Sequence, residues 1–159
     1  MGRRLILDTT ALIDYERGAF DRSALDEDDL AVAAITLAEY RTGIELADSP
    51  ARAADRERSL KAITNWVEVL VYTETTAARH AKLIAHVRSS GQARGAHDLI
   101  IAAHAAETGR VLLSRDAAAR FASLPGVTAA QPPGLPEPVR SVAPKGSAPV
   151  LDSPPRRRS

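Results

Sequence analysis

The chain has 159 residues, 45% of them hydrophobic, with no cysteine and a net charge of +1. That length supports one domain with its own core, and the lack of cysteine excludes disulfides, thiolate zinc centres and thiol nucleophiles, in keeping with an expected cytoplasmic location. The charge is uneven: from Pro132 onward five basic residues face two acidic ones, leaving 16 basic and 18 acidic before it, which excludes a generically basic nucleic-acid binder.

Leu5-Ile6-Leu7 is the first apolar run. It is far too short for a signal-peptide core or a membrane span. A helix is expected from Thr10 to Arg17, then a second apolar run from Leu30 to Ile35 and a helix from Leu37 to Ala47. Gly43 inside that helix costs about 1 kcal/mol relative to alanine, which marks a close approach by another element or by substrate. A strongly charged helix is expected from Ala51 to Thr64, and the valine-rich stretch from Trp66 to Tyr72 predicts a third strand. His80, Leu83, Ile84 and Val87 fall at helical spacing between Thr76 and Ser89. Asp98 to Thr108 is helical and apolar nearly all round, so it belongs in the core. Val111 to Leu113 is a fourth strand, a helix is expected to begin over Asp116 to Ala122, and Gly126 to Ala130 adds an edge strand. Eight of the ten prolines lie from Pro132 to Pro155, a composition that predicts a disordered tail over 132–159 behind a folded domain over 1–131. Short apolar strands alternating with helices predict a three-layer α/β/α domain around a central, mostly parallel sheet of four to five strands.

In such sheets ligands bind beyond the carboxyl ends of the strands. Asp8 follows the first run directly, Thr36 and Glu39 follow the second, and Asp116 follows the fourth strand after Ser114 and Arg115. Asp98 heads the apolar helix. Each has an ordinary structural reading: aspartate caps helices, Thr36-Leu37-Ala38-Glu39 matches a capping box, and acids favour helix N-termini. Together they form something else. A carboxylate at the mouth of a buried helix needs compensation, and four converging carboxylates repel one another, for which a divalent cation is the simplest remedy. Clustered carboxylates are hard ligands suited to Mg²⁺ or Mn²⁺, and such ions serve phosphodiester hydrolysis. In this reading Asp8, Asp98 and Asp116 bind metal, Glu39 is a ligand or base-like orienter, and Thr9, Thr36 and Ser114 hold a carboxylate or a water. Arg115 and Arg94 are candidate phosphate contacts, with a solvated surface role the plainer alternative.

Asp8-Thr9-Thr10 with Leu12-Ile13-Asp14, then Thr36-Leu37-Ala38-Glu39, His97-Asp98-Leu99-Ile100-Ile101-Ala102 and Ser114-Arg115-Asp116 resemble, in order and separation, the motifs of PIN domains. The nearest likeness is to the VapC-type toxins of bacterial toxin–antitoxin pairs, over roughly Leu5 to Ala130. The resemblance implies a compact α/β fold and a Mg²⁺- or Mn²⁺-dependent endoribonuclease acting on structured RNA of the tRNA or rRNA class. It also implies a homodimer, a VapB-like antitoxin that occupies the site, and a catalytic set of Asp8, Glu39, Asp98 and Asp116. Thr10 departs from the family, which often has asparagine there; Asp14 is assigned to local capping or packing.

Three other readings remain. A haloacid-dehalogenase-type hydrolase wants a second aspartate two residues after Asp8, where this chain has Thr10. A receiver-type domain wants paired acids after the first strand and a late lysine, and neither is present. A non-catalytic module that binds RNA or antitoxin is the main alternative, against which the retention of all four acids argues. The histidines at 80, 86, 97 and 104 lack zinc-ligand spacing and are read as surface or packing residues, with His97 capping its helix.

Overall fold

The computed structural model describes residues 2–134. Pro132 is buried there, and Gly134 lies with its Cα side against the Asp21 backbone. The expected disorder of the tail falls, from residue 135, outside the described residues.

Five strands form one sheet in the order β3-β2-β1-β4-β5: β1 (Arg4–Leu7), β2 (Asp29–Ala33), β3 (Glu68–Leu70), β4 (Val111–Leu113) and β5 (Ala129–Ala130). Every pairing is parallel, with Leu5 opposite both Leu30 and Val111. The helices are α1 (Thr9–Arg17), α2 (Ala34–Glu45), α3 (Pro50–Thr64), α4 (Glu74–Ser90) and α5 (Ala96–Thr108). The two-residue period of β1 divides the core. Leu5 and Leu7 pack with Leu12, Tyr15, Leu60 and Ile63 on one face, while Ile6 packs with Leu83, Ile101 and Ala102 on the other. A central strand buried on both sides needs an unbroken apolar run, which Leu5-Ile6-Leu7 supplies.

Local chemistry sets where the helices begin. Ser49 caps α3 with Pro50 at its first position, and Thr73 caps α4 in a reciprocal pair with Thr76. The α4 cap lies three residues before the expected start at Thr76. At the second helix the expectation fails more usefully. β2 stops at Ala33 and α2 begins at Ala34, so Thr36 lies inside the first turn and the capping box is not formed. Alanine at 33 and 34 tolerates either structure, which moved the boundary two residues from where the apolar run suggested. The helix expected from Asp116 is instead two 3₁₀ turns, Ala117–Ala119 and Phe121–Ser123. Arg120 between them has φ 44°, a left-handed conformation that ends any helix. Gly43 does not mark an unusually close approach: a Cβ there would stand 3.7 Å from the Arg56 guanidinium, an ordinary contact, and that guanidinium donates 2.5 Å to the Gly43 carbonyl from α3.

At the amino ends of the strands Arg110 is buried, 2% exposed, and donates to the carbonyls of Leu5 and Asp29 and to the Glu68 carboxylate. One guanidinium thereby joins β1, β2 and β3. Among the described residues no helix is long and apolar enough to cross a membrane.

Candidate active site

The strand order places a reversal at β1. From there the chain steps outward through β2 to β3, then returns to the far side of β1 as β4. Crevices at such reversals are where parallel sheets bind ligands. Asp8 leaves β1 at this point and Ser114 leaves β4 beside it.

Asp8 is 4% exposed and caps α1. Its Oδ1 accepts from the Ala11 amide at 2.8 Å and from Thr10 Oγ1 at 2.7 Å, and its Oδ2 accepts from Ser114 Oγ. Burial pushes its carboxyl above the ordinary range; the bonds from Ser114, Ala11 and Thr10 pull it back, and the charge of Asp116 raises it again. Ser114 Oγ also accepts from the Asp116 amide at 2.9 Å, so one hydroxyl fixes two of the acids relative to each other. Asp116 Oδ1 then accepts from the amides of Ala118 and Ala119 at the head of the first 3₁₀ turn.

Glu39 reaches the site from the second turn of α2. Thr9 Oγ1 donates to its Oε2, and its Oε1 lies 2.5 Å from His97 Nδ1. Asp98 is the third residue of α5, whose first turn follows Gly95. A Cβ at Gly95 would stand 2.7 Å from Asp98 Oδ2, so the carboxylate folds back over a position where a side chain would collide with it. Burial is the main cause lifting the Asp98 carboxyl, followed by the charges of Asp116, Asp8 and Glu39, while His97 acts in the opposite direction. Asp98 thus lies within electrostatic reach of the other three acids.

Of the supporting hydroxyls expected from sequence, Thr9 and Ser114 bond to the cluster. Thr36 is fully buried, and its Oγ1 has no hydrogen-bond partner among the described residues. Three contacts were not anticipated. Thr10 donates to Asp8, His97 pairs with Glu39 rather than capping α5, and Asp14 accepts from Arg115. Asp14 had a readable signal: a carboxylate among the buried Ala11, Leu12 and Tyr15 needs a partner.

Two open cavities flank the cluster. One of 250 Å³ is lined by Glu39, Gly95, Ala96, His97 and Asp98; the other, of 260 Å³, by Thr10, Ile13, Asp14, Arg115 and Asp116. A larger one of 480 Å³ between α1, α2 and α3 meets the cluster only at Glu39. Among the described residues no three acidic or histidine side chains are grouped as metal ligands, because Asp8, Glu39 and Asp116 are each turned to hydrogen-bond donors of their own. The cluster still suits a hard cation in its chemistry. Its donors are all oxygens, and burial together with neighbouring negative charge lifts the pKa of Asp98 and Asp8, an effect that a bound cation would counter.

A family model described as PIN domain matches residues 5–126. Ribonuclease VapC5 of Mycobacterium tuberculosis is 32% identical over 126 residues, which cover 79% of this chain and 91% of that protein. Among solved structures, VapBC-5 of the same organism superposes with a TM-score of 0.68 at 26% identity, covering 80% of this chain and 98% of that one. VapBC2 from Rickettsia felis, bound to a DNA fragment of its promoter, gives a TM-score of 0.71 at 18% identity over 80% and 98% of the two chains. The matched span takes in Asp8, Glu39, Asp98 and Asp116, and the chain belongs to the PIN-domain family, among its VapC relatives.

Proposed function

We propose that this chain is a Mg²⁺- or Mn²⁺-dependent endoribonuclease toxin of the cytoplasm, active as a homodimer and neutralised by a VapB-like antitoxin. Its substrate in this reading is structured RNA of the tRNA or rRNA class. The observation that carries the proposal is geometric: four separate segments deliver carboxylates to the reversal point of the sheet, where Ser114 joins Asp8 to Asp116 and His97, next to Asp98, meets Glu39. Capping needs such residues one at a time, whereas a phosphodiesterase needs them together. The name of the Mycobacterium tuberculosis relative supports ribonuclease activity, and the VapBC complexes among the solved structures support an antitoxin partner.

Asp8, Asp98 and Asp116 are the residues that would hold the cation, which when bound lowers the pKa of a water and offsets charge on the phosphate under attack. Glu39, braced by Thr9 and His97, orients the attacking water and accepts its proton. Ser114 and Thr10 favour the ionised form of Asp8 by donating to it, against the effect of burial, and Ser114 fixes Asp116 at the same time.

The test is cleavage of total bacterial RNA by the purified chain with Mg²⁺, Mn²⁺ or EDTA, with Asp98→Asn alongside. Discrete fragments that require metal and vanish in the variant are the expected result. A folded, antitoxin-free sample that cleaves nothing with either metal overturns the proposal in favour of a non-catalytic binding module.

A further inference from the structure

We infer that Arg115 is an RNA-phosphate contact at the rim of the carboxylate cluster, held in place by Asp14; this rests on the nuclease reading above. Arg115 stands between Ser114 and Asp116, both members of the site. Its backbone amide donates 3.1 Å to Thr10 Oγ1, the same hydroxyl that donates to Asp8. Its side chain bends back to α1, where Asp14, only 8% exposed at its side chain, receives it.

The form of that ion pair is informative. Both Asp14 oxygens accept from Nη1 alone, at 2.8 and 2.9 Å. A fork of two nitrogens onto two oxygens is the stronger arrangement and would occupy more of the guanidinium, whereas a one-nitrogen pair, the form that Arg41 also makes with Glu57, leaves the rest of it open. Here Nη2 and Nε have no partner among the described residues, and the Arg115 side chain is 48% exposed. Asp14 thus fixes the direction of the guanidinium and leaves its outer edge open. Arg115 lines the 260 Å³ cavity together with Thr10, Asp14 and Asp116. A cavity lined by both a carboxylate of the site and a fixed cation suits the backbone phosphate next to the cleaved linkage. The other arginine near the site, Arg94, donates instead to Ser123 Oγ. Arg115 accordingly touches substrate, and Asp14 is a positioning residue.

Phosphate contacts have a signature that structural residues lack: each one steepens the salt dependence of binding. The experiment is fluorescence anisotropy of a labelled RNA stem-loop on the full chain in EDTA, from low to moderate salt, together with steady-state cleavage in Mg²⁺. Arg115→Ala is expected to weaken binding about tenfold and to make the slope of log K against log salt shallower by about 0.7–0.9, the value for one phosphate. Because that variant leaves Asp14 buried and unpaired, Asp14→Asn/Arg115→Ala is run beside it and should show the same loss of slope. Arg115→Lys should keep the slope while raising KM, as a point charge replaces a directed fork. Asp14→Asn alone should keep the slope and raise KM more than it lowers kcat. An unchanged slope in both folded alanine variants overturns the inference while leaving the nuclease reading intact. A wild-type chain that neither binds nor cleaves RNA overturns both.

Discussion

The two ends of the sheet handle charge in opposite ways. At the amino ends of the strands Asp28, Asp29 and Glu68 each have a cation. Arg3 donates to Asp28, Arg4 lies 3.6 Å from Asp29, and the buried Arg110 reaches Asp29 and Glu68. At the carboxyl ends Asp8, Glu39, Asp98 and Asp116 meet, and the nearby arginines are turned elsewhere, to Asp14 and Ser123. The acidity of the carboxylates records the difference. Asp28 is held below its ordinary value by its bonds with Arg3, whereas Asp8 and Asp98 are lifted above theirs. One end is arranged for stability. The other keeps a repulsion that stability alone would have removed, and unrelieved repulsion of this kind is characteristic of working sites.

The strongest way to break this contrast is at Arg110. Arg110→Met leaves the carbonyls of Leu5 and Asp29 and the Glu68 carboxylate without their shared donor. We expect a loss of about 2–3 kcal/mol in chemical denaturation, below the cost of a fully buried pair because Asp29 and Glu68 remain half in water. Unchanged stability would mean that the cation at this end has no structural role.

The opposite end should respond with the opposite sign. Asp98→Asn removes a charge that three neighbours repel, so the variant should be more stable near neutral pH by about 0.5–1 kcal/mol after allowance for solvent screening, even as cleavage is lost. Mg²⁺ should raise the melting temperature of the wild type and have little effect on the variant. A variant less stable than wild type at pH 7 would contradict the electrostatic account of the cluster.

The smallest effect sharpens the comparison through pH. Asp98 has a folded value raised above 3.8, so its contribution is fully present below the unfolded value and is lost as pH rises through the folded one. Asp28 is lowered, so its contribution is present above the unfolded value and is lost as pH falls through the folded one. Thermal melts across an acid titration should therefore show Asp98→Asn above wild type and Asp28→Asn slightly below it at neutral pH. Both differences should close on acidification. Gaps of the same sign would refute the contrast.

Much of this arrangement was legible in the sequence. Leu5-Ile6-Leu7 and Val111-Leu112-Leu113 announced buried parallel strands, and asking which residue follows each run picked out Asp8 and Asp116. Asp98 was legible because the apolar helix behind it had to be buried. What stayed hidden depended on where side chains turn. Arg110, between a helix-ending Gly109 and a strand, looks like any turn arginine until three strands are seen to converge on it. The capping box expected at Thr36 and Glu39 is not formed, and nothing in Ala33-Ala34 distinguishes the last strand residue from the first helical one. The left-handed Arg120 was unreadable for a different reason: arginine rarely adopts that conformation, so the three alanines before it suggested a longer helix.

The bond between Ser114 and Asp8 spans 106 residues of chain. A polypeptide emerging from the ribosome amino end first therefore carries Asp8 and Glu39 long before Asp98, Ser114 and Asp116 have been made. β1, the strand at the middle of the sheet, must wait for β4 before its second edge is paired. Non-local closure of this kind is slow relative to the local formation of helices. No nascent or prematurely terminated product that ends before β4 holds a complete cluster, and the four acids can come together only once synthesis has passed Asp116.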